Sequence, residues 1–506
     1  LSVLGITIIV SGTYALYKAQ LSKNIGVNTT THGLAYYINY VKGTDITAAT
    51  LNPSTSYEGG ASSDIEFWKK DDSYDIYGKI ELTVNTIGTN LSNSPALKYA
   101  VVNNGNVLKE GSLKGTTSGS KVTILKNLYL EQTKQIYTVY VWLDNSEELG
   151  NISNESLSIS VDCTASLQKE PTAADTIISL YTSAAKVTAT NNSITYNTAP
   201  SVSLMNDRLG GTTTDLDGGN IRYYGANPNN YIYFNCSDYS NQTSSTCETW
   251  RIIGVFDGKL KLIRGSQIGK YSWDNKNIST GAEDDRGKND WTTARLMKLL
   301  NPDDYYINDN NDKDSEGNYL GYSLYYNSAS GMCFTDEGVN YSACDFTSTG
   351  IKNDETRNMI AETTYNLGGW NDTGVYPNEI YEYERGTTVY TGRPTTWTGK
   401  IALAYPSDYG YAADLNQCKQ TLANYDNSTC TSNNWMKAII TDNGSNHGWL
   451  LTPDSSYSFG AWYSHGNVGE YFTGAARGAV PVLSLSSKLG IESGDGSSSN
   501  PYKLSA

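Results

Sequence analysis

Between residues 34 and 163 apolar and polar positions alternate in short runs parted by turn residues, the pattern of strands with one wet face. Lys79–Val84 alternates strictly. Leu97–Val102 runs into Asn103-Asn-Gly-Asn106 and then Val107-Leu108, and Asn-Gly between two apolar runs marks a tight hairpin. Val122–Leu130, Ile136–Leu143 and Leu157–Val161 read as further strands. Roughly eight strands without helical periodicity predict a β-sandwich of jelly-roll type over residues 18–165.

Residues 166–215 read as a transition: a short amphipathic helix over Pro171–Tyr181, then a Thr/Asn/Ser-rich linker. From 216 to 506 the texture changes. Tyr231–Phe234 and Trp250–Phe256 read as strands, and Asp257-Gly258 turns the second into Leu260–Arg264. Asp290 is placed to N-cap a helix over Trp291–Leu300 that Asn301-Pro302 ends, with further short helices over Asp354–Ala361 and Asn433–Ile440. Strands resume at Lys400–Ala404, Gly448–Leu451 and Val480–Leu485. The expected fold is mainly β: a jelly-roll sandwich followed by a larger α+β domain.

One stretch breaks this texture. Leu1–Tyr17 carries no charge before Lys18, and its Ile, Val and Thr content favours an extended strand. It is too short for a membrane helix, which needs roughly 20 apolar residues. Two readings remain open: a signal remnant, with Thr13-Tyr-Ala15 resembling a cleavage site, or a donor strand burying Leu1, Val3, Leu4, Ile6, Ile8, Ile9 and Val10 in another copy.

Charge and cysteines narrow the setting. A formal net charge of −15 argues against nucleic acid and anionic lipid as partners. Six of the seven cysteines form three local pairs, Cys236 with Cys247, Cys333 with Cys344 and Cys418 with Cys430, the spacing of small disulfide-closed loops made in an oxidising compartment. Cys163 is left as a buried thiol. Asn-Pro-Tyr-Lys-Leu-Ser-Ala506 shows neither a membrane helix nor a sortase-type tail, so no stable membrane span is expected, and anchoring is expected from the N-terminal end or from other subunits.

The ordered segments Val3-Leu-Gly5, Gly12-Thr-Tyr-Ala-Leu-Tyr17, Gly33-Leu-Ala-Tyr-Tyr-Ile-Asn-Tyr40, Leu51-Asn-Pro53, Tyr57-Glu-Gly59 and Tyr137–Asp144 resemble the camelysin/TasA family over about residues 1–165. That resemblance implies a jelly roll and a fibre-forming protein of the bacterial surface or biofilm matrix. Trp449-Leu-Leu-Thr-Pro453, Ala461-Trp462 and Arg477–Leu485, with the Trp250 hairpin, resemble surface modules related to the C-type-lectin and formylglycine-generating-enzyme-like fold. This second resemblance implies a display or ligand-binding module and carries over no catalytic residue.

Candidate chemistry is sparse. Asp312, Asp314 and Glu316, ahead of Gly317, sit at calcium-loop spacing, but position 12 of such a loop is Ser323, so a solvated acidic loop is the plainer reading. No cofactor is expected otherwise. His447 and His465, with Glu470 nearby, lack an accompanying Gly-x-Ser-x-Gly or His-Glu-x-x-His motif, and no enzyme is expected. Tyr457, Trp462, Tyr463 and Tyr471 are placed to stack on sugar rings or to pack a core. Asn28, Asn90, Asn151, Asn235, Asn277 and Asn427 head Asn-x-Ser/Thr triplets.

The expectation is a secreted, cell-surface structural protein whose partners are copies of itself, polymerising by donor-strand exchange into a pilus-like filament or surface layer. The alternative is an adhesin binding glycans through its C-terminal domain. A type IV pilin-like subunit is the third reading; Gly5 and Gly12 interrupt its helix, and the acidic residue such helices carry is missing.

Overall fold

The computed structural model describes residues 18–21, 37–48, 51–152, 154–208, 219–275, 286–302, 313–335 and 340–505. Leu1, Val3, Leu4, Ile6, Ile8, Ile9 and Val10 therefore lie outside the described residues, as does Asp312. The chain divides into two compact units, Leu1–Glu170 and Pro171–Ala506. Strand takes 39% of the chain and helix 14%, so the fold is mainly β.

The first unit contains β1 (Lys18–Leu21), β2 (Ile38–Val41), β3 (Ile46–Thr47), β4 (Pro53–Ser54), β5 (Ala61–Lys69), β6 (Tyr77–Ile87), β7 (Leu97–Asn103), β8 (Asn106–Ser112), β9 (Lys121–Tyr129), β10 (Ile136–Asp144) and β11 (Leu157–Ser166). One sheet runs β1-β11-β6-β9, with β3 also on β11; the other runs β2-β5-β10-β7-β8, with β4 on β10. The alternation seen in sequence does its expected work. Ile80, Leu82 and Val84 of one sheet and Ile65, Phe67, Val101, Val139 and Val141 of the other are fully buried in one shared core. The Asn-Gly hairpin forms between β7 and β8: Asn104 and Gly105 take φ of 49° and 77°, as the two central positions of its tight turn require.

The second unit begins earlier than the sequence pattern places it. The helix Ala173–Ser183 does form, capped reciprocally by Thr172 and Asp175, and buries Ala174, Ile177 and Tyr181. The chain beyond this helix is not a linker. Val187–Asn191, Ile194–Ala199 and Leu204–Asn206 are the first three strands of a nine-stranded sheet that continues through Ile221–Tyr223, Glu248–Phe256, Lys259–Arg264, Val482–Ser484 and Ile401–Ala402, with Tyr231–Phe234 also paired to Glu248–Phe256. Their polar residues are held by distant backbone: the Asn191 amide donates to the carbonyls of Leu415 (3.1 Å) and Cys418 (2.7 Å). The expected boundary at 215/216 therefore moves to 170/171.

Helices elsewhere in this unit are short. The one expected over Trp291–Leu300 covers only Arg295–Leu300, because Asp290 accepts from the Thr292 backbone (3.1 Å) and hydroxyl (2.6 Å) and holds a turn instead of capping the helix. Asp257 and Gly258, at φ of 49° and 70°, close the hairpin between Glu248–Phe256 and Lys259–Arg264. Three disulfides join Cys236 to Cys247, Cys333 to Cys344 and Cys418 to Cys430, and Cys163 is a buried free thiol.

Candidate functional site

Trp462, Tyr463, Glu470 and Tyr471 lie on a five-stranded sheet of the second unit, ordered Lys270–Ser272, Ala476–Gly478, Gly448–Pro453, Gly460–Ser464, Val468–Phe472, and His447 and His465 directly adjoin its strands. Tyr271 pairs with Arg477, Gly448 with Gly478, Trp449 with Tyr463, and Ala461 with Tyr471. This pairing brings rings and cations from separate strands together. The Arg477 guanidinium lies 3.9 Å from the Tyr463 ring centre, 4.4 Å from Tyr471 and 5.4 Å from Trp449. His447 stacks on Tyr463 at 5.1 Å with a 6° interplanar angle, and His465 lies 4.1 Å from His447.

The hydrogen bond between Arg477 Nη1 and His447 Nδ1 assigns the tautomer. A guanidinium only donates, so Nδ1 accepts and the neutral ring carries its proton on Nε2. Burial, then Arg477, His465 and Lys270, push the His447 pKa down, so the ring is neutral near pH 7. Arg477 is 9% exposed, and its own pKa is lowered by burial. No carboxylate pairs with it among the described residues, and its Nε finds no acceptor there.

The four aromatic candidates divide. Tyr457 and Tyr471 are exposed and Tyr463 is half-buried. Trp462 is fully buried and donates its indole N–H to the Trp370 carbonyl at 3.1 Å, so it packs the core and presents no face to a sugar. Glu470 meets a carboxyl and not the histidines: its pKa is pushed up to about 8, first by desolvation and then by Asp454 and Asp372. Asp454 is itself buried and accepts from the backbone N–H groups of Ser456 and, at 3.0 Å, Tyr457.

The acidic loop is used locally. Asp314 accepts from the backbone N–H groups of Glu316 and Asn318, each at 2.9 Å, and from the Asn318 amide at 3.1 Å, which lowers its pKa. Glu316 is exposed. Among the described residues no cluster of three His, Cys, Asp or Glu side chains is arranged to hold a metal ion. A groove of about 660 Å³ opens beside this loop, floored by Tyr319, Tyr322, Leu324 and Met332. Of the glycosylation triplets, Asn235 is fully buried, its amide donating to the Gly350 carbonyl at 2.8 Å, and is closed to modification in the folded chain.

Sequence reasoning passed over Arg477 as a functional residue. Its signal was available: between Lys437 and Lys488 it is the one lysine or arginine. That no acid pairs with it among the described residues is visible only in three dimensions.

No known protein family and no curated protein matches the chain. Solved structures that match include a mutant of HCR/D, at 12% identity over 53% of this chain and 76% of that one. Another is the receptor-binding domain of botulinum neurotoxin mosaic serotype C/D, crystallised with tetraethylene glycol and sulfate, at 11% identity over 53% and 75%. Both have a TM-score of 0.15, too low to bear on fold or function.

Proposed function

We propose that this chain is a structural subunit of an extracellular filament or surface layer, in which residues 1–17 of one copy add as a β-strand to the sandwich of the next. The observation that carries the reading is the uncharged segment Leu1–Tyr17, which leads directly into β1, a strand that adds to the edge of β11. A lone apolar strand leaves its backbone N–H and C=O groups without partners, and an open sheet edge supplies them. Among the described residues β8 and β9 each bond a neighbour on one side only, and β8 exposes Val107 and Leu108. Burying five or six apolar side chains contributes on the order of 10 kcal/mol before ordering entropy is subtracted. Such head-to-tail joints do not close on themselves and propagate a fibre.

Secretion accompanies this reading. Three disulfides fit an oxidising compartment, and no helix among the described residues is long and apolar enough to cross a membrane. The jelly-roll connectivity and the likeness to camelysin/TasA proteins belong to the same proposal, as does the absence of catalysis; His447 supports the latter by spending Nδ1 on Arg477. The adhesin reading draws its support from the ring-lined cluster around Arg477.

Negative-stain microscopy of the full chain tests the assembly. Filaments are expected, and deletion of residues 1–17, or Ile6→Asp with Ile8→Asp, is expected to yield folded monomers. A deletion variant that still builds the same filaments overturns the donor-strand reading.

A further inference from the structure

Four buried or largely buried cations of the second unit have oxygen acceptors. Arg222 pairs with Asp207 and Asp408, Lys261 with Asp408, and Arg264 with Glu248. Arg251 lacks an acid but donates to the Asn230 side chain and the Pro228 carbonyl. Among the described residues Arg477, unlike these four, has neither an acid nor an oxygen acceptor; its hydrogen bond there runs to an imidazole nitrogen.

Its surroundings deepen the imbalance. His447 and His465 lie against it or against each other, and Lys270, exposed, sits on the neighbouring strand opposite Gly478, one residue from Arg477. Arg477 and Lys270 thus place two cations side by side, with neutral His447 between rings, in a chain of net charge −15. A buried charged donor without an acceptor costs more than a neutral one, so an oxyanion delivered to the guanidinium has an unmet interaction to satisfy. The burial of the guanidinium, 9% exposed, strengthens that attraction.

We infer that the Arg477 cluster is a binding site for a single oxyanion, a carboxylate or a sulfate ester, carried on a sugar ring. The guanidinium fork matches either group. Tyr471, 41% exposed beside the guanidinium and stacked on Phe472 at 4.0 Å, adds aromatic surface against which the apolar side of a pyranose can pack. The overall negative charge repels polyanions, which restricts the ligand to one charge on an otherwise neutral molecule. This site rests on the adhesin reading, whose ligand class it specifies, and stands whether or not the chain polymerises.

Calorimetric titration of the full chain with sialyllactose, lactose 3′-sulfate, lactose and sodium sulfate tests it. Saturable binding of at least one charged sugar is expected, with lactose at least tenfold weaker; which charged sugar binds distinguishes carboxylate from sulfate ester. Arg477→Gln should abolish the response. Because Arg477 is buried, the exposed pair Lys270→Gln with His465→Gln serves as a second variant, expected to weaken binding severalfold at an unchanged melting temperature. Equal binding of lactose, a response to sulfate ion only, no saturable binding, or an unaffected Lys270/His465 variant each overturns the proposal.

Discussion

Arg222 Nη1 donates to Asp408 Oδ1 at 2.9 Å in the core of the second unit, joining residues 186 positions apart. Asp408 also accepts from Lys261 and from the Tyr405 backbone at 3.1 Å, while Arg222 makes a second pair with Asp207. Both side chains of the first pair are about fully buried, at 1% and 0% exposure. Lys261 and Arg222 hold the Asp408 pKa down against the desolvation that would raise it.

Breaking that pairing is therefore expected to be severe. Asp408→Asn leaves Lys261 and part of Arg222 buried without their counter-charge, and removing one partner of a buried pair typically costs about 3–5 kcal/mol. Urea unfolding followed by tryptophan fluorescence checks it, since Trp250, Trp273 and Trp449 are fully buried in the same unit. A loss below about 1 kcal/mol would mean that the network is solvated in solution.

The Glu470 carboxyl sets an alkaline limit. Its folded pKa of about 8 lies above the unfolded value of about 4.3, so the folded state holds a proton that the unfolded state releases. Its contribution is fully present below about pH 4 and is lost as pH rises through 8. Glu470→Gln, which mimics the protonated form, should raise the melting temperature at pH 9 and leave it nearly unchanged at pH 4. Parallel pH–stability curves for the two proteins would contradict this.

His447 acts at the other end. Its folded pKa is depressed, so the neutral ring is the one the fold prefers; stability is present above the unfolded value of about 6.5 and lost as pH falls below it. His447→Gln is expected to flatten the melting-temperature profile between pH 7 and 5. The test is thermal unfolding across that range, with an unchanged slope as the contrary result.

Thiol chemistry separates Cys163 from the rest. It is fully buried on β11 and burial drives its pKa well up, so little reactive thiolate forms. An aromatic disulfide reagent should label no thiol in the native chain and one after denaturation. Native labelling, or a cross-link involving Cys163 in a non-reducing peptide map, would show a different pairing.

In the sandwich, Leu82 faces the shared core with no exposure. Leu82→Ala should destabilise the first unit by about 2–5 kcal/mol, measured by denaturant titration. A smaller loss would indicate a core able to collapse around the cavity.

The strands of the first unit were legible where one face is wet, so that alternation in sequence reports burial directly, as β5, and β6 as far as Val84, show with every second residue turned inward. Local chemistry was equally legible: the Asn104-Gly105 and Asp257-Gly258 turns and the three short disulfide loops depend on residues close together in the chain. The same alternation fails where a sheet is covered on both faces. Gly448–Pro453 is buried at every position and Gly460–Ser464 at all but Tyr463, so nothing in the sequence told Trp462, in the core, from Tyr463, at the site.

Long-range pairing decided the rest. Residues 187–206 look like a polar linker because their Asn and Thr side chains find partners only in the folded unit, as Asn191 does with Leu415 and Cys418 more than 220 residues away. Arg477 is one cation in an apolar stretch until the sheet sets Trp449, Tyr463, Tyr471 and His447 around it. The sequence by itself determined which segments pair with their near neighbours; only the tertiary structure decided which charges are compensated, because compensation depends on distance in space and on the loss of water, and neither is a property of chain order.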